Sequence, residues 1–62
     1  MNFKILSQTH DDKYLIWLIQ GDHPEINQII MHESSRYKVI SVWVTDPIVK
    51  VKLMKLDSEY SI

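Results

Sequence analysis

Histidines and carboxylates are the residues of this sequence that could do metal or acid–base chemistry. His10, Asp11 and Asp12 are consecutive in a polar, turn-like segment, where their side chains could converge on a cation. His23 and His32 lie nine residues apart, which is not the one-turn spacing of a metal pair on a helical face. Solvated turn chemistry explains the first group better than metal binding does. We therefore predict no metal site.

Nucleophilic catalysis is not indicated either. The chain has one glycine, so no glycine-rich phosphate loop can form, and none of its serines lies in a strained elbow motif. A domain this small also rarely encloses the pocket that catalysis needs. We predict that the protein is not an enzyme and uses no cofactor.

Size and composition limit how the chain can be stabilised. Its 62 residues predict a single domain, over 1–62, and domains of this length are marginal alone. There is no cysteine, so disulfides are excluded, and a reducing compartment is compatible with that absence. No signal-type segment follows Lys4, and the apolar run from Tyr14 to Ile19 is far shorter than the roughly 20 residues that span a bilayer. We expect a cytoplasmic protein.

The secondary-structure elements that would position any site are predicted in the order strand, strand, helix, strand, strand. A helix start is indicated by Asp22, Pro24 and Glu25, and isoleucines follow at helical spacing. The prediction is an α+β fold, a four-stranded sheet with one helix on one face (ββαββ). Its strand order is 1-2-3-4, slightly favoured, or 2-1-3-4. The predicted elements are strand 2–7, strand 13–20, helix 22–33, strand 36–45, strand 48–56 and a polar tail, 57–62.

Two predicted strands are apolar on both faces. The run Tyr14 to Ile19 has no polar side, and Tyr37 to Val44 is nearly as two-sided. One short helix covers only one sheet face, so the other face needs a partner or stays exposed. This predicts contact with another protein or with a second copy. Across the two possible face assignments, the candidate partner-binding residues are Leu15, Trp17, Ile19, Val42 and Trp43.

In layout, the chain resembles the small epsilon subunit of Gram-positive RNA polymerase. The similarity lies in an opening strand, Met1 to Ile5, a second strand, Tyr14 to Ile19, a short acidic-capped helix, two further strands and the tail Asp57 to Tyr60. Small phage-encoded polymerase inhibitors share part of this layout. The resemblance implies an accessory or inhibitory subunit, of phage or bacterial origin, and it assigns no functional residue.

The alternative function is binding of single-stranded nucleic acid. Lys50, Lys52 and Lys55 in the fourth predicted strand could contact phosphates beside Tyr37 or Trp43. The net charge of −1 does not indicate a generally basic protein. Lysines on a predicted edge strand also serve to prevent further strand pairing, which is the competing explanation.

Overall fold

The computed structural model describes residues 2–56, which form five β-strands. They are β1 (Phe3–Asp11), β2 (Tyr14–Gly21), β3 (Ile29–His32), β4 (Ser35–Thr45) and β5 (Ile48–Lys55). All neighbouring strands are antiparallel, in the order β1-β2-β5-β4-β3. The sheet curls into a half-barrel. β5 is therefore the central strand, while β1 and β3 are the two edges.

The predicted α+β fold is wrong, because no helix forms within residues 2–56. The segment from Asp22 to Gln28 is a loop instead, with Pro24 fully buried. Its backbone binds β4: the Asn27 amide donates to the Val39 carbonyl (2.7 Å) and the Val39 amide donates to Gln28 (3.0 Å). Short isolated helices are marginal, so such tertiary hydrogen bonds outweigh capping signals.

The isoleucines that suggested a helix belong to an extended segment. Ile29 and Ile30 lie in β3, where their β-branched side chains point to opposite faces, and Ile26 is 55% exposed in the preceding loop. A two-residue turn, Glu33 and Ser34, then leads into β4, and both residues have positive φ (52° and 68°). Hairpin turns of this kind favour Asn-Gly, so the sequence carries no strong signal for this one.

Both predicted strand orders are also wrong. They placed the lysine-bearing fourth strand at an edge, whereas that strand, β5, pairs with β2 on one side and β4 on the other. Four strand positions are confirmed to within a few residues, as is the turn at Asp46–Pro47, whose peptide bond is cis. The predicted tail, 57–62, lies outside the described residues.

The hydrophobic core lies on the concave side of the curled sheet. Trp17 of β2, 2% exposed, stands at its centre, with Phe3 of β1 at 5.8 Å and His32 of β3 at 5.2 Å between ring centroids. β2 and β3 are separated by two strands in the sheet. The contact between Trp17 and His32 therefore shows that the sheet is strongly curled around its core side chains. The buried core is formed by Leu15, Trp17, Ile19, Tyr37, Val39, Val49, Val51 and Leu53.

Two β-bulges change which side chains face the core. In β4 the register shifts between Val39 and Ser41, so Val42 and not Trp43 continues the inward set. In β1 a shift between Ile5 and Ser7 turns Gln8 inward, where its Oε1 accepts a hydrogen bond from Trp17 Nε1 (3.0 Å). Within residues 2–56, the side chains that form the buried core lie on one side of the sheet only.

Candidate functional site

The predicted partner-binding residues do not form one surface. Leu15, Trp17 and Ile19 are at most 2% exposed in the concave core, and Val42 is half-buried against it. Trp43 lies on the convex side and is 46% exposed. The two tryptophans therefore lie on opposite faces of the sheet, because the β4 bulge turns Trp43 outward. Of the five residues, Trp43 is the one that an external partner could contact directly.

The predicted basic residues divide between the two sides of β5. Lys50 and Lys52 alternate with the buried residues of that strand, so they lie on the convex side. Lys55 lies on the same side of β5 as the buried residues Val49, Val51 and Leu53. It pairs with Tyr37 and is exposed because it is at the end of the strand. Tyr37 itself is 8% exposed in the core, so it cannot serve as a stacking platform beside the lysines.

Positive charge is concentrated on the convex side although the whole chain is slightly acidic. Of seven Lys and Arg residues, five alternate with inward-facing strand positions and so lie on this side. One acidic strand residue, Asp11, shares it, at the end of β1. The remaining described acidic residues lie in turns and loops. The five basic residues are Lys4, Arg36, Lys38, Lys50 and Lys52.

Aromatic rings and lysine ammonium groups meet on the convex side of β2, β5 and β4. Lys50 Nζ lies 5.2 Å from the centroid of the Trp43 ring, its cross-strand neighbour. Lys52 Nζ lies 4.4 Å from the centroid of the Tyr14 ring. Both distances are within the range of cation–π interactions, each of which contributes about 0.5–1 kcal/mol of stability at exposed sites. We call the surface formed by Tyr14, Lys38, Trp43, Lys50 and Lys52 the basic face.

Among residues 2–56, the lysines also provide cover for the apolar residues on the second sheet face. Ile16 lies directly opposite Lys52, and Leu18 directly opposite Lys50. Both aliphatic residues are half-buried. Long lysine side chains bury their methylene stems on apolar surface while the ammonium group stays in water. The expected large apolar patch is thus replaced by a mixed basic and aromatic surface.

Tyr14 and Lys38 belong to the basic face and were not among the predicted site residues. Lys38 was detectable in the sequence, because it stands between the apolar residues Tyr37 and Val39 in a strand and must therefore face away from them. Tyr14 was not, because it begins a run that is apolar on both sides. Its proximity to Lys52 follows from the pairing of β2 with β5.

No metal-binding cluster accompanies this face in the described part of the chain. Within residues 2–56 no group of three or more His, Cys, Asp or Glu side chains is placed to hold a metal ion, and no pocket is present. His10 and Asp11 are exposed β1 residues, and His32 packs by its ring against Trp17 and Tyr37. No helix in the part of the chain described is long and apolar enough to cross a membrane.

Comparison of the chain with protein-family models, curated proteins and solved structures finds no match.

Proposed function

We propose that this protein is a small cytoplasmic binding module, not an enzyme, and that its basic face binds single-stranded nucleic acid. The observation that carries the proposal is the pairing of Lys50 with Trp43 and of Lys52 with Tyr14 on a central, accessible part of the sheet. Proteins that bind single strands combine a positively charged surface with aromatic rings on which bases stack.

The position of the lysines in the sheet favours this function over a purely protective one. Lysines that prevent strand pairing belong on edges, but β5 is flanked by β2 and β4. Neither Lys50 nor Lys52 therefore protects an open edge. Their charges add to that of Lys38, which faces the same side. The combined field attracts a polyanion in spite of the net charge of −1.

Stacking requires that a base displace an ammonium group from the ring it covers. Breaking one exposed cation–π contact costs about 0.5–1 kcal/mol. Stacking a base on an aromatic side chain contributes about 1–3 kcal/mol. The displaced lysine can then contact the neighbouring phosphate. On these magnitudes the exchange at Trp43 ranges from break-even to a gain of about 2.5 kcal/mol. Tyr14 has a second ammonium group near its ring, Lys13 Nζ at 5.7 Å, so the gain there is smaller.

Fluorescence anisotropy with a labelled oligothymidylate of about 15 nucleotides tests the proposal. With three phosphate contacts, one for each lysine of the basic face, affinity should fall about 20-fold between 50 and 200 mM salt, from a slope of about 0.7 per contact. Lys50→Ala and Lys52→Ala should each weaken binding and lower the slope by about 0.7.

The matched control is Lys55→Ala, which removes the same charge from the same strand but on the opposite side. It should leave affinity and slope nearly unchanged. Equal effects of all three lysine substitutions would refute a role for the basic face. Absence of binding at 50 mM salt would refute the nucleic-acid function.

A second candidate is protein binding, as an accessory or inhibitory subunit or as a homodimer. The observation that favours it is exposed apolar surface on edge strand β3, where Ile29 is 48% and Met31 is 66% exposed. Light scattering across a concentration series tests the homodimer, and Met31→Lys should abolish any dimer formed through β3. A monomer at all concentrations, with no oligonucleotide binding, would leave a different protein as the partner.

A further inference from the structure

We infer that the bound strand crosses the sheet diagonally, with one base on Tyr14 and another on Trp43. This inference rests on the proposed function and specifies the path and the length of its ligand. The two rings belong to β2 and β4, the strands that flank the central strand β5 to its left and right in the sheet. A ligand that uses both must therefore cross β5.

The separation of the rings follows from the strand register. Tyr14 lies opposite Met54 of β5, and Trp43 lies opposite Lys50 of the same strand. Four residues of strand correspond to about 14 Å along β5, and two strand spacings to about 10 Å across the sheet. The two positions are thus about 16–17 Å apart on the diagonal.

The lysines fill the interval between the two rings. Lys52 has Ile16 on one side and Ser41 on the other, so it stands in the middle of the three strands. Its ammonium group reaches toward Tyr14, and that of Lys50 toward Trp43. Phosphates between two stacked bases would pass over these charges. At the stacked rise of about 3.4 Å per nucleotide, 16–17 Å corresponds to about five steps.

The basic face therefore holds about six stacked nucleotides when both rings are occupied, and strands of two or three nucleotides reach only one ring. This falls within the range of about 4–16 nucleotides that small β-barrel modules bind. The consequence is a length threshold. Below it, a ligand can use either ring alone, and above it both rings contribute together.

The length threshold is tested by measuring how tightly thymidine oligomers of two to twelve nucleotides bind to the intact chain. The proteins compared are the wild type, Tyr14→Ala, Trp43→Ala and the double variant. For the longest oligomers each single substitution should weaken binding about 5- to 160-fold, and the double variant should weaken it by about the product of the two single effects. For oligomers of two or three nucleotides, each single substitution should weaken binding about twofold or less, because the ligand moves to the remaining ring. Val44→Ala is the matched control, since Val44 is 60% exposed beside Trp43 with inward parity.

The outcomes separate the inference from the proposed function. If single substitutions have the same effect at every length, or affinity shows no rise near six nucleotides, the diagonal path is wrong although binding stands. If no oligomer of any length binds at low salt, the proposed function fails and the inference with it. Circular dichroism of each variant confirms that lost binding is not lost folding.

Discussion

Replacing each tryptophan in turn by alanine tests the assignment of the two sides of the sheet. Trp17 is 2% exposed and Trp43 is 46% exposed. A fully buried tryptophan removes about 150–250 Å² from water. At about 25 cal/mol per Å² the loss for Trp17→Ala is about 4–6 kcal/mol as an upper value. The corresponding upper value for Trp43→Ala is half as large, about 2–3 kcal/mol, and the Lys50 side chain can close over the smaller residue.

The difference is large relative to the stability of a domain this small. At about 0.05–0.15 kcal/mol per residue, the whole chain has about 3–9 kcal/mol of unfolding free energy. Trp17→Ala should therefore leave the protein largely unfolded, whereas Trp43→Ala should remain folded with a lower denaturation midpoint. A milder variant, Trp17→Phe, keeps most of the core volume and should fall between them.

Urea denaturation followed by far-ultraviolet circular dichroism measures these effects, and the fluorescence of the remaining tryptophan gives an independent signal. When the m-value is near 1 kcal/mol/M, a loss of about 2 kcal/mol lowers the midpoint by about 2 M, so Trp43→Ala should show a shifted transition and Trp17→Ala little or no transition. Equal destabilisation by Trp17→Ala and Trp43→Ala would refute the assignment. So would a Trp17→Ala variant that unfolds within about 0.5 M of wild type.

Three further predictions concern the backbone. Glu33→Asn combined with Ser34→Gly should raise the free energy of unfolding by about 1 kcal/mol in thermal melts. Both positions have positive φ, which Asn and Gly adopt more readily than Glu and Ser. Unchanged stability would argue against this turn. Gly21→Ala should lower the free energy of unfolding, measured in urea, by more than about 1 kcal/mol. The reasons are that φ is +117° and that a Cβ atom would lie 2.8 Å from the Asn2 carbonyl oxygen. Unchanged stability would contradict that close approach. Deleting Ile40 removes the extra residue of the β4 bulge and makes Ser41 follow Val39 directly, so simple alternation keeps Val42 inward and Trp43 outward. The variant should therefore stay folded in urea titrations and should still bind oligonucleotides; loss of the fold would contradict the register of β4.

The positions of four strands could be predicted from the sequence because a strand signal is local. Alternation of Val49, Val51 and Leu53 with Lys50 and Lys52 identifies β5 and assigns opposite sides to its two sets of residues. The same alternation did not identify the neighbours of the strand. Pairing partners are chosen by contacts distant in sequence, so the central place of β5 could not be read from its own residues.

The helix prediction failed at a segment whose local preferences compete. Pro24 and Glu25 favour a helix start, while Ile29 and Ile30 suit a strand as well as a helix. Hydrogen bonds between the Asn27–Gln28 segment and Val39 decide the outcome. Such bonds depend on the position of β4, which no local pattern specifies.

The sequence by itself determined that this is a small, cysteine-free chain of strongly apolar strands with alternating lysines. The tertiary structure decided which side each strand residue occupies. An unbroken alternation would place Trp43 on the side of Tyr37 and Val39, but the bulge after Val39 turns it outward beside Lys50. The physical reason is that a shift of one residue reverses the facing of every following side chain in a strand. The composition supplied the lysines and the rings, and strand pairing and one bulge brought them together on a single face.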